Sequence, residues 1–363
     1  MMKIGADACL MASHPRGMGQ YARALVEPVA SNCLGFLPRN MKMTQLRYAN
    51  KGTSIFPIWE QFFLPSMAKS HAVTHLLSPS NTSPLFGLRG IFKILVIHDL
   101  IFMKNFKELE RSSSHYQNIG RLYRRVVVPR AAKNADVLVT VSDFSKQDII
   151  RRFGISDKKI HVIPNSISDS WLRPKSDIFS LRDRQPYFLA VSGEAPSKNL
   201  VRLLEAFSCV IHSSFEPKVE LRVVGVGEAA REALWRHVLR LKISGSVHFE
   251  DFLSEPQLME LYRKAYGFVF PSLYEGFGIP LLESMASGTP IICSNTTAIP
   301  EVVGDAALFF DPRNPADMAN QMLELLSDKG RWLDLSRKGI NQVEKFSKER
   351  IRKKIVEFWG ELA

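Results

Sequence analysis

Between Tyr187 and Ser294, short apolar runs alternate with longer amphipathic stretches, and this alternation limits the possible folds more than any other feature of the chain. "YFLAVSG", "VELRVVGVG", "SVHFEDF", "YGFVFPS" and "TPIICS" read as strands. The segments between them (199–213, the stretch after Glu228, 258–263 and the stretch from Pro280) space their apolar residues as helices do. Strands that are apolar along their whole length are buried on both faces, which requires helices above and below a parallel sheet. The first half repeats the pattern less regularly. There "MKIGADA", "AVTHLLS", "KILVIHD", "ADVLVTVS" and "KIHVIP" predict strands, with helices after Gly19, over 59–69 and over 113–133.

A chain of 363 residues is long for one core, so two domains are expected. The polar, proline-punctuated "PNSISDSWLRPKSDIFSLRDRQP" has no period of its own and places a linker near 170–185. The predicted fold is α/β: two tandem Rossmann-like, doubly wound parallel-sheet domains, 1–175 and 176–344, facing a cleft. Open sheets of this kind bind ligands at the carboxyl ends of their strands.

Composition narrows the setting. The cysteines Cys9, Cys33, Cys209 and Cys293 are scattered without a C-x-x-C pair, which suits a reducing, cytoplasmic compartment. "MMKIGADACL" meets Asp7 before any long apolar stretch and does not read as a signal peptide. "GIFKILVIHDLIF" is broken by Lys93, His98 and Asp99 and is not expected to span a bilayer. The formal net charge of +12 has solubility as its ordinary explanation and an anionic partner as its sharper one. "RLYRRVVVPRAAK" holds five cations and no acid, and "KFSKERIRKK" six cations against one glutamate. Neither interleaves aromatics as a base-stacking platform would. Nucleic acid is therefore not an expected partner, whereas an anionic membrane surface, met peripherally at the inner leaflet, is.

The chemistry concentrates in "SLYEGFGIPLLESMASGTPII", Ser272 to Ile292. Pro280 suits the first position of a helix and Gly288 its end. Ile279, just before the proline, cannot cap, so the first amides of that helix need another partner. Gly276 and Gly278 allow a sharp turn and a close approach, and an uncapped helix start behind such a turn is a seat for a diphosphate. Glu283 falls one turn into the helix, where an ionised carboxylate is favoured and could accept both hydroxyls of a ribose. Glu275, before the turn, could accept hydroxyls from whatever the diphosphate carries. A blander arrangement fits the spacing equally well: Glu283 merely answers the helix dipole and Glu275 is a solvated loop acid.

The segment "YEGFGIPLLESMASGTPIICSNTTAIPEVVGDAALFFDP" resembles the retaining family 4 glycosyltransferases (glycosyltransferase group 1) of the GT-B fold, whose signature is E-x7-E with glycines after the first acid. The resemblance continues through "RGMGQYAR", "VIHDLIF", "ADVLVTVSDFSKQDI", "KIHVIPNSI", "EAPSKNL" and "VVGVGE". It implies that Glu283 holds the ribose, that Glu275 contacts the donor sugar near the reacting carbon, and that Lys198 neutralises the leaving diphosphate. His98 would hydrogen-bond the transferred sugar, and Gly17 and Gly19 would let their loop approach the donor. Gly276, Phe277, Gly278, Ile279 and Gly225 would complete the donor-binding set. Glu301 fits the pattern without a role. The resemblance also implies that the last helix, about 345–363, packs back on the first domain.

The implied activity is retaining transfer of a hexose, with mannose as a family-level candidate, from a nucleoside-diphosphate sugar to a glycan or lipid-linked acceptor. Bacterial polysaccharide assembly is the implied setting, and front-face attack assisted by the departing phosphate the implied mechanism. No cofactor is expected beyond the donor substrate itself. The absence of a D-x-D motif and of metal-ligand spacing predicts transfer without an obligatory metal.

Some positions depart from the family. Ser197 stands where arginine is usual before the lysine, Asn165-Ser166 replaces asparagine-glycine, and Asp251 replaces a glycine. Arg202 is the nearest cation to compensate for the missing arginine. Several alternatives stay open at this stage: a covalent Glu275 intermediate, a solvent-facing Lys198, a structural His98 and an ordinary turn at Gly17 and Gly19. Rival functions are a glycoside hydrolase, which also needs paired acids, a GT-B-like phosphorylase or epimerase, and a non-catalytic basic binding protein with a vestigial cleft.

Overall fold

The apolar runs of the first half pair as strands β1 (Ile4–Asp7), β2 (Cys33–Leu37), β3 (Tyr48–Asn50), β4 (His75–Ser78), β5 (Phe92–Ile97), β6 (Val137–Thr140) and β7 (Ile160–Val162). In the computed structural model, which describes residues 2–13, 17–44, 46–105, 115–172, 181–214 and 218–363, they form a parallel sheet of order β3-β2-β1-β4-β5-β6-β7. The second half contributes β8 (Gln185–Val191), β9 (Glu220–Val224), β10 (Val247–Glu250), β11 (Ala265–Phe270), β12 (Ile291–Ser294) and β13 (Ala307–Phe310). These form a second parallel sheet, of order β10-β9-β8-β11-β12-β13. The chain divides into two compact units, one holding residues up to 105, 115–166 and 349–363, the other 167–348.

Burial follows the sequence pattern. All of β1, β6 and β12 is buried, as strands covered on both faces must be. In the second unit the Leu200–Ile211 helix turns Leu203, Leu204, Phe207 and Val210 into a core shared with Leu221, Val223, Phe310 and Trp332. In the first unit, Val128, Ala131 and Ala132 of the His115–Asn134 helix pack with Leu95, Ile97 and Leu138.

The unpredicted strands are β2, β3 and β13. β2 carries a glycine, β3 is a half-exposed edge, and β13 is only four residues long. The helix predicted over 59–69 begins at Phe56 and continues to Ser70, with a π-helical turn at Trp59–Phe63. That turn sits where Trp59 and Glu60 are both fully buried. Asp143–Phe153 is a further helix, capped by Ser142 and ended by Gly154 in the left-handed region. Of the linker expected near 170–185, residues 173–180 lie outside the described residues. Single 3-10 turns flank them at Asp169–Trp171 and Leu181–Asp183, and Gln185 already belongs to β8.

The last helix, Lys348–Leu362, belongs to the first unit. It buries Ile351, Ile355, Phe358 and Trp359, and the Trp359 indole donates to the Leu25 carbonyl at 2.8 Å. No described helix is long and apolar enough to cross a membrane. Among the described residues, no group of three or more His, Cys, Asp and Glu side chains is placed to hold a metal ion.

Each sheet has one point where the strand order reverses, between β1 and β4 in the first and between β8 and β11 in the second. At such points the loops leave in opposite directions and open a crevice at the carboxyl ends of the strands. Asp7 and Ser78 end the strands at the first reversal, and Val191 and Phe270 at the second.

Candidate active site

In the second unit, the loops after β8 and β11 are fastened together at the reversal point. Leu273 N donates to the Ser197 carbonyl at 2.7 Å. Asn199, buried and in the left-handed region at φ 59°, donates its amide to the carbonyls of Pro271 at 3.0 Å and Pro312 at 2.7 Å. Asparagine tolerates that backbone better than most residues. This fastening brings Lys198 to Glu275: Nζ lies 2.6 Å from Oε1, with the side chains 28% and 15% exposed. Lys198 Nζ also lies 5.8 Å from the Phe270 ring centroid. The cation is thus held over an aromatic face and against a carboxylate, an arrangement a freely solvated lysine would not adopt.

Glu275 is held from behind as well. Its backbone N donates to the Thr297 hydroxyl at 3.1 Å, which in turn donates to the Thr296 carbonyl at 2.7 Å. Thr297 has φ 59°, a conformation that is a genuine outlier for a β-branched residue and persists only where its surroundings over-determine it. The strain therefore sits one hydrogen bond from Glu275.

The glycine turn leads into the Ile279–Ala286 helix. Gly278, at φ 105°, is the N-cap and supplies no side-chain cap; Ile279 is the first helical residue and Pro280 the second, one place later than the sequence suggests. Proline is tolerated there for the same reason, since the first-turn amides have no intrahelical acceptor. Gly276, Phe277 and Gly278 are buried, and the Phe277 ring packs edge-on against Phe346 at 5.5 Å. The helix ends at Ser287, with Gly288 at φ 63°.

Arg184 clasps that end, donating to the carbonyls of Ser287 and Gly288 at 3.1 Å each and to the Thr289 hydroxyl at 2.9 Å. A cation at a helix C-terminus favours the dipole; burial pulls the Arg184 guanidinium down to about 10. Glu283 lies near Tyr262, a fully buried phenol whose ionisation is pushed well up by burial first and by the Glu283 carboxylate second. The Tyr262 hydroxyl donates to the Pro280 carbonyl at 3.3 Å. Glu283 is half-buried, one turn into the helix.

A competing anion seat in this unit is already filled. The Glu228–Arg240 helix starts at Gly227, whose amide donates to Glu194 Oε1 at 3.0 Å. The chain's own carboxylate satisfies that helix start, whereas the Gly278 N-cap of the Ile279–Ala286 helix supplies no side-chain cap. Gly225, just before, has φ 88°, and a Cβ there would lie 2.6 Å from the Ser192 carbonyl oxygen. Gly225→Ala is therefore expected to destabilise the protein by about 2 kcal/mol or more, measured by denaturant unfolding. An unchanged midpoint would show that the β8 and β9 loops can move apart freely.

Of the departures from the family pattern, Ser197 is buried and serves through its backbone. The Arg202 guanidinium donates to Asn199 Oδ1 at 3.0 Å. Asp251 binds Arg231 at 2.5 Å. Glu301 is exposed in the first turn of the Ile299–Val303 helix.

In the first unit, His98 follows β5 and is 7% exposed. Its ring lies edge-on to Tyr21 at 5.1 Å, its backbone N donates to Asn81 at 2.6 Å, and Nε2 lies 2.9 Å from the Pro79 carbonyl. A carbonyl only accepts, so Nε2 carries the proton and Nδ1 keeps the acceptor lone pair. Burial lowers its pKa to about 4, with the Pro79 carbonyl opposing, so the ring is neutral near pH 7. His98 can therefore accept from a sugar hydroxyl through Nδ1 but cannot serve as a cation. Gly17 is the N-cap of the Met18–Val26 helix at φ 59°, with open space where a Cβ would be. Gly19 lies within the first turn of that helix and is buried, not in a loop.

Two buried acids were missed by sequence reasoning. Asp7, at the end of β1, accepts from Cys9 N at 3.0 Å and Ser80 Oγ at 3.2 Å, a bond that crosses the first reversal point. Glu60, fully buried in the π-helical turn, accepts from Thr82 Oγ1 at 2.5 Å, Gln61 Nε2 at 2.8 Å and the Tyr123 hydroxyl. Burial pushes both carboxyls up, Glu60 to about 7. No motif flags either residue; the only signal is an acid placed inside an apolar stretch.

The profile of the group 1 glycosyl transferases matches residues 174–345, and that of glycosyltransferase family 4 matches residues 40–171. O-antigen chain mannosyltransferase B of Escherichia coli is 34% identical over 224 residues, 60% of this chain and 58% of that protein. The MMP alpha-(1->4)-mannosyltransferase of Mycolicibacterium hassiacum is 36% identical over 210 residues, 57% of this chain and 48% of that one. The chain thus spans roughly half the length of these relatives. Among solved structures, a sucrose-phosphate synthase from Thermosynechococcus elongatus superposes with a TM-score of 0.77 at 18% identity, covering 100% of this chain and 99% of the other. HepE from Anabaena, solved in complex with UDP, gives 0.76 at 17% identity over 99% and 100%. These likenesses show the fold, which is GT-B. By sequence, the chain belongs to the family 4 glycosyltransferases, with a group 1 glycosyl transferase domain as its second half.

Proposed function

We propose that the protein moves a hexose, mannose in the best-supported case, from a nucleoside-diphosphate sugar to a glycan or lipid-linked saccharide acceptor in bacterial polysaccharide assembly. The observation that carries this reading is the Lys198–Glu275 pair held at the β8/β11 reversal point by flanking loops that are fastened to each other. It suits a leaving diphosphate and a sugar ring better than proton shuttling, which sets it apart from a hydrolase. The mannosyltransferase relatives support the sugar, and the UDP held by HepE supports a nucleotide donor.

In this reading the uncapped start of the Ile279–Ala286 helix binds the diphosphate, with Gly278 at φ 105° allowing close approach. Glu283, half-buried one turn into that helix, accepts the ribose hydroxyls. Glu275 accepts from the sugar near its reacting carbon. As the bond between the anomeric carbon and the phosphate oxygen breaks, Lys198 stabilises the charge that collects on the diphosphate. The acceptor oxygen bonds the anomeric carbon from the same face, and its proton passes to the departing phosphate oxygen. The anomeric configuration is retained. His98, neutral and hydrogen-bonded to Pro79, offers Nδ1 to a sugar hydroxyl. Fixed protein cations and amides replace a divalent ion, so transfer is expected to persist in a chelator.

The test is a panel of nucleotide sugars screened for thermal stabilisation, followed by transfer with NMR assignment of the product anomer. GDP-mannose is expected to stabilise the protein and to give the α-product from an α-donor, with and without chelator. Glu283→Ala should abolish donor binding by calorimetry while the melting curve stays cooperative. Unchanged donor affinity in that variant, or release of free sugar from an unactivated glycoside, would overturn the reading.

A further inference from the structure

The first unit exposes more large apolar surface than its own fold explains. On the His115–Asn134 helix, Ile119, Leu122 and Val126 are 69%, 63% and 50% exposed. Their spacing of three and four residues places them on one face, and that face continues through the exposed Arg130 and Lys133. The opposite face is spent on the core through Val128, Ala131 and Ala132. Val127, beside this stripe, lines a groove of about 620 Å³ together with Phe62, Pro65, Phe86 and Lys69. Phe62 and Phe86 are 71% and 75% exposed. Phenylalanines this bare around a groove, next to an apolar helix stripe, mark an interaction surface rather than scattered surface residues.

The charges around the surface choose the occupant. The helix carries five cations and no acid. Arg121 and Arg125 are turned onto the Phe102 carbonyl, at 3.4 and 2.7 Å. Arg130 and Lys133 remain exposed on the apolar face, and Lys69 lines the groove. A second copy of a chain with a net charge of +12 would oppose cations with cations. An anionic bilayer offers apolar depth and negative headgroups at once, the pair of signals that stable peripheral binding needs.

We propose that this face of the first unit docks on an anionic lipid bilayer. Phe62, Phe86, Ile119 and Leu122 enter the boundary between headgroups and acyl chains, and Lys69, Arg130 and Lys133 meet the lipid phosphates. The proposal deepens the reading of a lipid-borne acceptor, but its test needs neither donor nor acceptor.

The full chain is floated with phosphatidylglycerol-containing vesicles and with pure phosphatidylcholine vesicles, at low and at high salt, without nucleotide. Binding is expected only to the anionic vesicles, weaker at high salt. The double variant Phe62→Ser, Phe86→Ser is expected to lose at least about tenfold in partition, because two buried phenylalanines contribute more than one decade. Arg130→Glu with Lys133→Glu is expected to remove the preference for anionic lipid. Both variants should melt as the parent does, since none of these side chains packs in the core.

No flotation at low salt, equal flotation of the double-serine variant, or a dimer that vanishes in that variant without any vesicle binding would each overturn the proposal. Calorimetric donor binding, read separately, keeps the two readings apart. Donor binding without flotation sinks the surface alone, and flotation without donor binding sinks the transferase reading alone.

Discussion

Replacing Lys198 with alanine is expected to lower the turnover of sugar transfer by about a hundredfold or more, with a smaller loss in donor affinity. The reason is the change in charge during the reaction. In the proposed mechanism the ground-state diphosphate is bound by helix amides, while the cation is partly neutralised by Glu275, 2.6 Å away. On that proposal, negative charge collects on the leaving group as the glycosidic bond breaks and the Lys198 contact strengthens, so the missing contact would cost more in the transition state than in binding. The variant also leaves Glu275, only 15% exposed, without its partner and facing an anion.

Stability should change little by comparison, because a pair with one partner 28% exposed contributes about 1 kcal/mol or less after solvent screening. Lys198→Arg keeps the charge but not the compact ammonium seated over Phe270, so it should recover only part of the turnover. Adding Glu275→Gln to Lys198→Ala should cost far less than the two single losses together, since both side chains act as one unit. Single-turnover kinetics with the donor chosen by the nucleotide-sugar panel checks this. A turnover within about threefold of the parent would remove Lys198 from the charge-stabilising role.

The parts of this site legible in the sequence are those whose constraint is local. Glu275, Gly278, Pro280 and Glu283 lie within one short segment, and an uncapped helix start behind glycines can be read from spacing. Strands β8, β11 and β12 were legible because burial on both faces leaves a continuous apolar run. By contrast, β3 is an exposed edge of three residues and β2 is interrupted by Gly35, so neither carries that signal.

What joins distant segments was not legible. Lys198 and Glu275 stand 77 positions apart, and nothing in either neighbourhood names the other. The Asn199 side chain reaches 72 and 113 positions to two proline carbonyls, and Arg184 reaches more than a hundred to the end of the Ile279–Ala286 helix. The positive φ of Thr297 is invisible at the level of residue type, since threonine is a poor choice for it. Pro280 was misplaced by one position because the first and second helical places both lack an intrahelical acceptor.

Glu60 gives the largest stability effect, and its sign is opposite to that of an ordinary paired carboxylate. Burial raises its pKa from 4.5 to about 7, against the three hydrogen bonds it accepts, with Asp7 adding repulsion. Between those two values the folded chain keeps a proton that the unfolded chain has released. Stability from this group is therefore complete below the unfolded value and falls as pH rises towards about 7. At about 1.4 kcal/mol per pKa unit the span is on the order of 3 kcal/mol.

Glu60→Gln removes the titration but weakens the donor pattern from Thr82, Tyr123 and Gln61, which shifts the variant by a constant offset. The offset cancels when the difference in unfolding free energy between parent and variant is followed across pH. That difference is expected to move in favour of the parent as pH is lowered from 8 to 5, by up to about 3 kcal/mol, and to level off above pH 7. The neighbouring Asp7, Cys9 and Tyr123 are present in both proteins, so their own titrations drop out to first order. A flat difference over that range would mean that Glu60 is ionised throughout in the folded protein, its three donors outweighing the loss of water around it.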